Sequence, residues 1–211
     1  MFFCMHERFA WQVHGASPLT ASIAYLVDFD GTLADTSDAN YLAYAQALGE
    51  VQIVIDREQF DQQAFGRNWR QFLPVILGTH GVTIDPAIVA ARKVEIYRET
   101  AKNIYFNEAL VLLLTHRSLD TKAALVTSAS SANVAAAFFS RQDLKSLFDL
   151  VITGDDVTQH KPHPQGFEMA ARQLGFAPSN CIVFEDSDIG VEAGLAFGAS
   201  VLRVSLWPRS I

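Results

Sequence analysis

The sequence predicts an α/β fold, a parallel five-stranded sheet with helices on both faces, and three observations carry that expectation. Short apolar runs near residues 25–29, 123–127, 150–153, 181–185 and 200–204 have the length and composition of buried strands. Helical patterns near 131–140, 165–175 and 188–197 alternate with the later runs, as parallel strands joined by crossovers require. Asp28, Thr127, Lys161 and Asp186 stand at or just beyond the ends of such runs. In open parallel sheets ligands bind there, beyond the carboxyl ends of the strands.

The first run, Ala24-Tyr25-Leu26-Val27, leads into Asp28-Phe29-Asp30-Gly31-Thr32-Leu33. Asp28 and Asp30 stand two residues apart at the strand's end, and bringing both to one centre requires the chain to turn there, which Gly31 permits. One carboxylate can then attack phosphorus while the other moves protons. The second run ends at Thr127-Ser128, followed by Ala129, where a hydroxyl and backbone amides can hold phosphate oxygens. A Thr-Ser pair by itself is more often a helix cap. Lys161 lies in Lys161-Pro162-His163-Pro164, a loop stiffened by prolines ahead of the helical pattern Phe167, Ala170, Ala171, Leu174 with Gly175 as its stop. A lysine placed there can neutralise both a phosphate and the carboxylates. The strand Cys181-Ile182-Val183-Phe184 ends at Glu185-Asp186, and a hard oxygen-ligated cation needs such carboxylates.

Between the first two strands, roughly Ser37 to Asn103 reads as helical. Gly49 closes its first helix, and Asp85-Pro86 caps and opens its last. Within it, Gly66-Arg67-Asn68-Trp69-Arg70 is the stretch expected to look into the site, Arg67 and Arg70 suiting an anionic group on the substrate.

Composition narrows the function. At 211 residues and 50% hydrophobic, the chain can bury one full core and a smaller second one. A net charge of −7 disfavours nucleic acid as a partner and leaves phosphate attraction to local cations. Cys4 and Cys181 make no disulfide framework, which makes cytoplasm the expected location. No apolar run approaches a membrane span, so no membrane is expected, and residues 1–22 read as a variable tail.

Four stations in order, DxDGTL at Asp28–Leu33, Thr127-Ser128, Lys161-Pro and Glu185-Asp186 with Gly190, resemble the motifs of the haloacid dehalogenase-like superfamily, from about Tyr25 to Val204. The resemblance implies a Rossmann-like three-layer core made of 23–36 and 104–211, with a small all-helical cap domain at 37–103 that closes over small substrates. It implies a phosphatase acting on a small phosphomonoester: Asp28 attacks, Asp30 serves as acid and then base, and Thr127 and Lys161 hold the phosphoryl oxygens. Gly31, Ser128 and Ala129 join the phosphate site. Mg²⁺ is expected on Asp28, the Asp30 backbone carbonyl and Asp186, with Glu185 supporting. A monomer or homodimer is compatible.

The same motifs serve a β-phosphoglucomutase-like isomerase, which returns the phosphoryl group to a sugar hydroxyl; hydrolysis is the favoured reading, and a non-catalytic binding protein a third. Dehalogenation is disfavoured because Asp30 and the acidic fourth station suit a metal. A phosphonate hydrolase would need a cap lysine, and neither Lys93 nor Lys102 sits in a recognisable motif. His160 and His163 read as surface residues, and Trp11, Trp69 and Trp207 as packing residues. Ile104–Glu108 replaces the proline-glycine frequent in relatives at the return to the core.

Overall fold

The computed structural model describes residues 22–64, 66–139 and 141–204. The tail expected at 1–22, along with Cys4, Trp11 and Trp207, lies almost wholly outside them. Seven strands form two sheets among the described residues. The main one contains β1 (Ala24–Val27), β4 (Lys122–Val126), β5 (Leu150–Ile152), β6 (Cys181–Glu185) and β7 (Ser200–Arg203) in the order β5-β4-β1-β6-β7, all neighbours parallel. The strand order thus reverses about β1, which pairs with β4 on one side and β6 on the other.

Alternation along the strands builds two cores. Ala24 and Leu26 face α7 (Gln165–Leu174) and α8 (Asp188–Phe197), packing with Phe167, Ala170 and Phe197. Tyr25 and Val27 face the other way, toward α5 (Glu108–Thr115) and α6 (Ser131–Phe138) through Leu114, Val134 and Phe138. Gly175 and Gly198 stop α7 and α8 in the left-handed conformation at φ +81° and +88°.

Residues 37–100 form four helices, α1 (Ser37–Gly49), α2 (Arg57–Ala64), α3 (Trp69–Thr79) and α4 (Pro86–Thr100). Asp85 caps α4 by accepting from Ala87 N at 2.9 Å, with Pro86 in the first turn. Tyr44, Phe60 and Phe72 bind α1, α2 and α3 together, with ring centroids 5.2–6.1 Å apart. The chain enters and leaves this helical layer through a small antiparallel ribbon, β2 (Ala34–Asp35) against β3 (Tyr105–Phe106). Its second strand lies within the Ile104–Glu108 stretch. No helix among the described residues is long and apolar enough to cross a membrane.

Candidate active site

The carboxyl ends of β1, β4 and β6 converge on a cleft of about 890 Å³, counting its open mouth, beneath the helical layer. Asp28 follows β1, and its backbone N donates to Phe184 O at 3.0 Å, which carries the pairing with β6 one residue past the strand. The side chain is buried at 6% exposure. Lys161 Nζ donates to Asp28 Oδ1 at 2.6 Å, to Glu185 Oε1 at 2.5 Å and to Val126 O at 3.2 Å. All three of its donors are therefore engaged. Flanked by two carboxylates, Lys161 holds its proton well above the usual lysine range despite burial.

Burial, with Glu185 and Asp186 close by, pushes Asp28 well above the usual carboxylate range, more than Lys161 brings it down. Asp186 is raised to about 7 by burial and by Glu185. The three carboxylates offer oxygens within 4.8 Å of one another. Such a cluster is unfavourable as three bare anions and suits a hard cation. Glu185 is already occupied, since Oε1 takes Lys161 and Oε2 accepts from Ser187 N at 3.2 Å and Ser187 Oγ at 3.0 Å. Asp186 Oδ1 accepts from Thr32 at 3.1 Å, whereas its buried Oδ2 has no partner. Gly31, at φ +85°, lies directly against that oxygen; an added Cβ would sit 2.0 Å from it. The residues present fit a divalent cation, with Asp28 and Asp186 supplying the uncommitted oxygens.

Asp30 is placed differently from Asp28. Its Oδ1 accepts from Thr36 Oγ1 and from Asn40 Nδ2 at 3.1 Å, and its carboxylate is outside the acidic cluster. Any part it has in holding metal is left to its backbone carbonyl. Behind Asn40 stands Lys93, 1% exposed, donating to Asn40 Oδ1 at 2.6 Å. Neither Asn40 nor Lys93 is marked by a motif, but Lys93 is spaced with Val89, Ala90, Ile96 and Tyr97 on the buried face of α4. That helical spacing is the sequence signal for a buried lysine.

Thr127 and Ser128 line the cleft. Ala129 N is already engaged, donating to Thr127 Oγ1 at 3.0 Å, so the loop holds itself in shape. Arg67 lines the cleft and anchors Nη1 on the carbonyls of Gln62 and Gln63 at 3.0 and 2.8 Å. Arg70 does not line it. It stacks on Trp69, 4.4 Å from the ring centroid, and pairs with Asp155 at 3.4 Å. His163 accepts from Gln165 N at 3.2 Å at the start of α7, and His160 is half-buried.

Residues 25–204 match the family model described as haloacid dehalogenase-like hydrolase. The fructose-1-phosphate phosphatase YqaB of Escherichia coli is 29% identical over 182 residues, covering 86% of this chain and 95% of that protein. A phosphorylated carbohydrates phosphatase of Thermotoga maritima is 30% identical over 185 residues, 83% of this chain and 81% of its own. Among solved structures, CbbY from Rhodobacter sphaeroides in complex with phosphate superposes at TM-score 0.80 with 22% identity, covering 89% and 88% of the two chains. β-Phosphoglucomutase from Clostridium difficile gives 0.73 with 25% identity, covering 86% and 84%. With its motifs, sheet order and acidic cleft in accord with these likenesses, the chain belongs to the haloacid dehalogenase-like hydrolases.

Proposed function

We propose that the protein is a Mg²⁺-dependent phosphatase of small phosphorylated metabolites, sugar phosphates first, working through an aspartyl-phosphate on Asp28. The observation that carries this reading is the pairing of buried Asp28 with Lys161 beside the partnerless Oδ2 of Asp186. The relatives that act on fructose 1-phosphate and phosphorylated carbohydrates indicate the substrate class. The division into a core of 23–36 and 104–211 and a mobile cap of 37–103 is part of the same proposal.

In this scheme Lys161 fixes Asp28 through Oδ1, and that oxygen attacks phosphorus as the ester P–O bond breaks, which leaves Oδ2 for the cation. Asp30, oriented by Thr36 and Asn40 through one oxygen, gives the leaving oxygen its proton. It then takes a proton from the water that attacks the aspartyl-phosphate, releasing phosphate and restoring Asp28. Thr127 and Ser128 hold phosphoryl oxygens. Lys161 acts on the phosphoryl group chiefly as a charge, because its three protons are already shared among Asp28, Glu185 and Val126. Asp28 and Asp186 would hold a cation, which would supply Lewis acidity and offset the repulsion between carboxylate and phosphate.

The likeness to β-phosphoglucomutase supports a second reading, in which a sugar hydroxyl rather than water receives the phosphoryl group. One assay separates the two. Phosphomonoesters are incubated with and without Mg²⁺, and both free phosphate and isomerised sugar phosphate are measured. Phosphate release that requires Mg²⁺ is the expected result; isomerisation without release would support the mutase, and neither would overturn both.

A further inference from the structure

Asn68 stands immediately before α3, is 1% exposed, and uses its two amide ends for different tasks. Its Oδ1 accepts from Arg70 N at 3.1 Å, while Gln71 Oε1 accepts from Asn68 N at 3.0 Å, making a reciprocal helix cap. Its Nδ2 leaves the helical layer altogether and donates to Ser128 O at 2.8 Å, in the loop after β4. Gln71 Nε2 reaches Lys161 O at 3.4 Å from the same cap. The approach is close enough that a Cβ on Gly154 would lie 2.3 Å from Ser128 O and 2.4 Å from Asn68 Nδ2. Capping explains Oδ1, and aspartate or serine would serve equally there. It does not explain Nδ2.

The Ser128 carbonyl belongs to the same planar peptide as the N–H of Ala129. That N–H donates to Thr127 Oγ1 at 3.0 Å, and Ala129 O accepts from Gly154 N at 2.7 Å. Fixing Ser128 O therefore fixes the direction of the Ala129 N–H and, through it, the Thr127 hydroxyl. We propose that Asn68 is a positioning residue through which the helical cap, when seated, sets the Ser128–Ala129 peptide plane and so shapes the phosphate-holding loop. Lifting the cap breaks this bond and releases the loop. Cap closure and phosphate binding are thereby coupled, each favouring the other. Arg70 with Asp155 reinforces the seat, since Asp155 Oδ2 also accepts from Ser131 N at 2.9 Å at the start of α6, where that loop ends.

The catalytic meaning of this coupling rests on the phosphatase reading, so the test has one arm that depends on activity and one that does not. Asn68→Asp and Asn68→Ser both keep a capping oxygen and lose the donor to Ser128. In substrate-free protein, hydrogen exchange at the amides of Ala129–Ser131 is expected to quicken several-fold in both variants, while amides within α3 exchange as in the wild type. On sugar phosphates kcat/KM should fall roughly ten-fold or more, the scale set by losing one buried hydrogen bond. Wild-type exchange at Ala129–Ser131 in either folded variant would overturn the proposal, as would exchange that quickens equally throughout α3. If the wild type releases no phosphate from any substrate, the functional reading fails and the exchange result still decides the role of Asn68.

Discussion

Lys93 Nζ donates to Asn40 Oδ1 at 2.6 Å, and the far end of the same amide donates to Asp30 Oδ1 at 3.1 Å. A protonated lysine can only donate, so it fixes which way the Asn40 amide points and directs Nδ2 to the carboxylate. Three elements meet in this chain of contacts: α4, α1 and the loop after β1. The ammonium also lies 4.0 Å from the Tyr97 ring centroid and 4.8 Å from that of Tyr44, which partly replaces lost hydration. Burial nevertheless lowers its pKa to about 7.

Lys93→Met is therefore expected to separate stability from activity. Methionine fills much of the same volume without a buried cation, and Tm should rise by roughly 2–4 °C, the shift about 1 kcal/mol produces in a chain of this size. Activity should fall about ten-fold as Asn40 loses its orientation. Because the folded pKa near 7 lies below the unfolded value near 10.5, the charge penalty is full below pH 7 and fades as pH rises toward 10.5. The Tm advantage of the variant should shrink over the same interval. Thermal scans from pH 6 to 10 check the sign; an advantage that grows with pH would contradict it.

Asp186 carries the opposite pH dependence. Its folded pKa of about 7 lies above the ordinary 3.8, so its ionisation costs stability increasingly from about pH 4 to pH 7. In chelator, Asp186→Asn should have a Tm advantage over wild type that grows across that window. Mg²⁺ should raise the wild-type Tm more at pH 7.5 than at pH 5 and the variant's much less, since a ligand favours the state that binds it. A Mg²⁺ shift equal in the two proteins would remove Asp186 from the metal site.

Arg67 and Arg70 should behave differently from each other. Arg67 lines the cleft, so Arg67→Ala is expected to re-rank natural substrates while sparing a small aryl phosphate. Arg70 is held by Trp69 and Asp155, so Arg70→Ala should preserve the ranking and change kcat/KM by a few-fold at most, an exposed ion pair contributing little. Measuring kcat/KM for both variants over one aryl phosphate and several sugar phosphates gives the comparison. A re-ranking by Arg70→Ala alone would reverse the assignments.

The five strands of the main sheet were legible because buried parallel strands are short apolar runs bounded by turns. The first, expected over 25–29, ends at Val27, a boundary the sequence hides because the turn after it is as apolar at Phe29 as the strand before it. The ribbon of β2 and β3 has two residues a strand, too few to show a period. Asp28, Thr127, Lys161 and Asp186 were legible because each follows a recognisable run. Asn40 and Asn68 were not, since each is defined by a partner 53 or 60 residues away. Asp28 and Asp30 both line the cleft, but that Thr36 and Asn40, downstream on the same chain segment, hold the Asp30 carboxylate has no signal in the sequence.

If Asp28 is the nucleophile, it becomes phosphorylated during turnover. Rapid acid quenching of enzyme mixed with ³²P-labelled sugar phosphate and Mg²⁺ traps any acyl-phosphate on the protein, to be located by peptide mapping. Label is expected on the peptide containing Asp28 during turnover, lost on mild alkaline treatment. Neither label nor turnover is expected in folded Asp28→Asn. Phosphate release by wild type with no labelled protein, or sustained turnover by Asp28→Asn, would contradict that role.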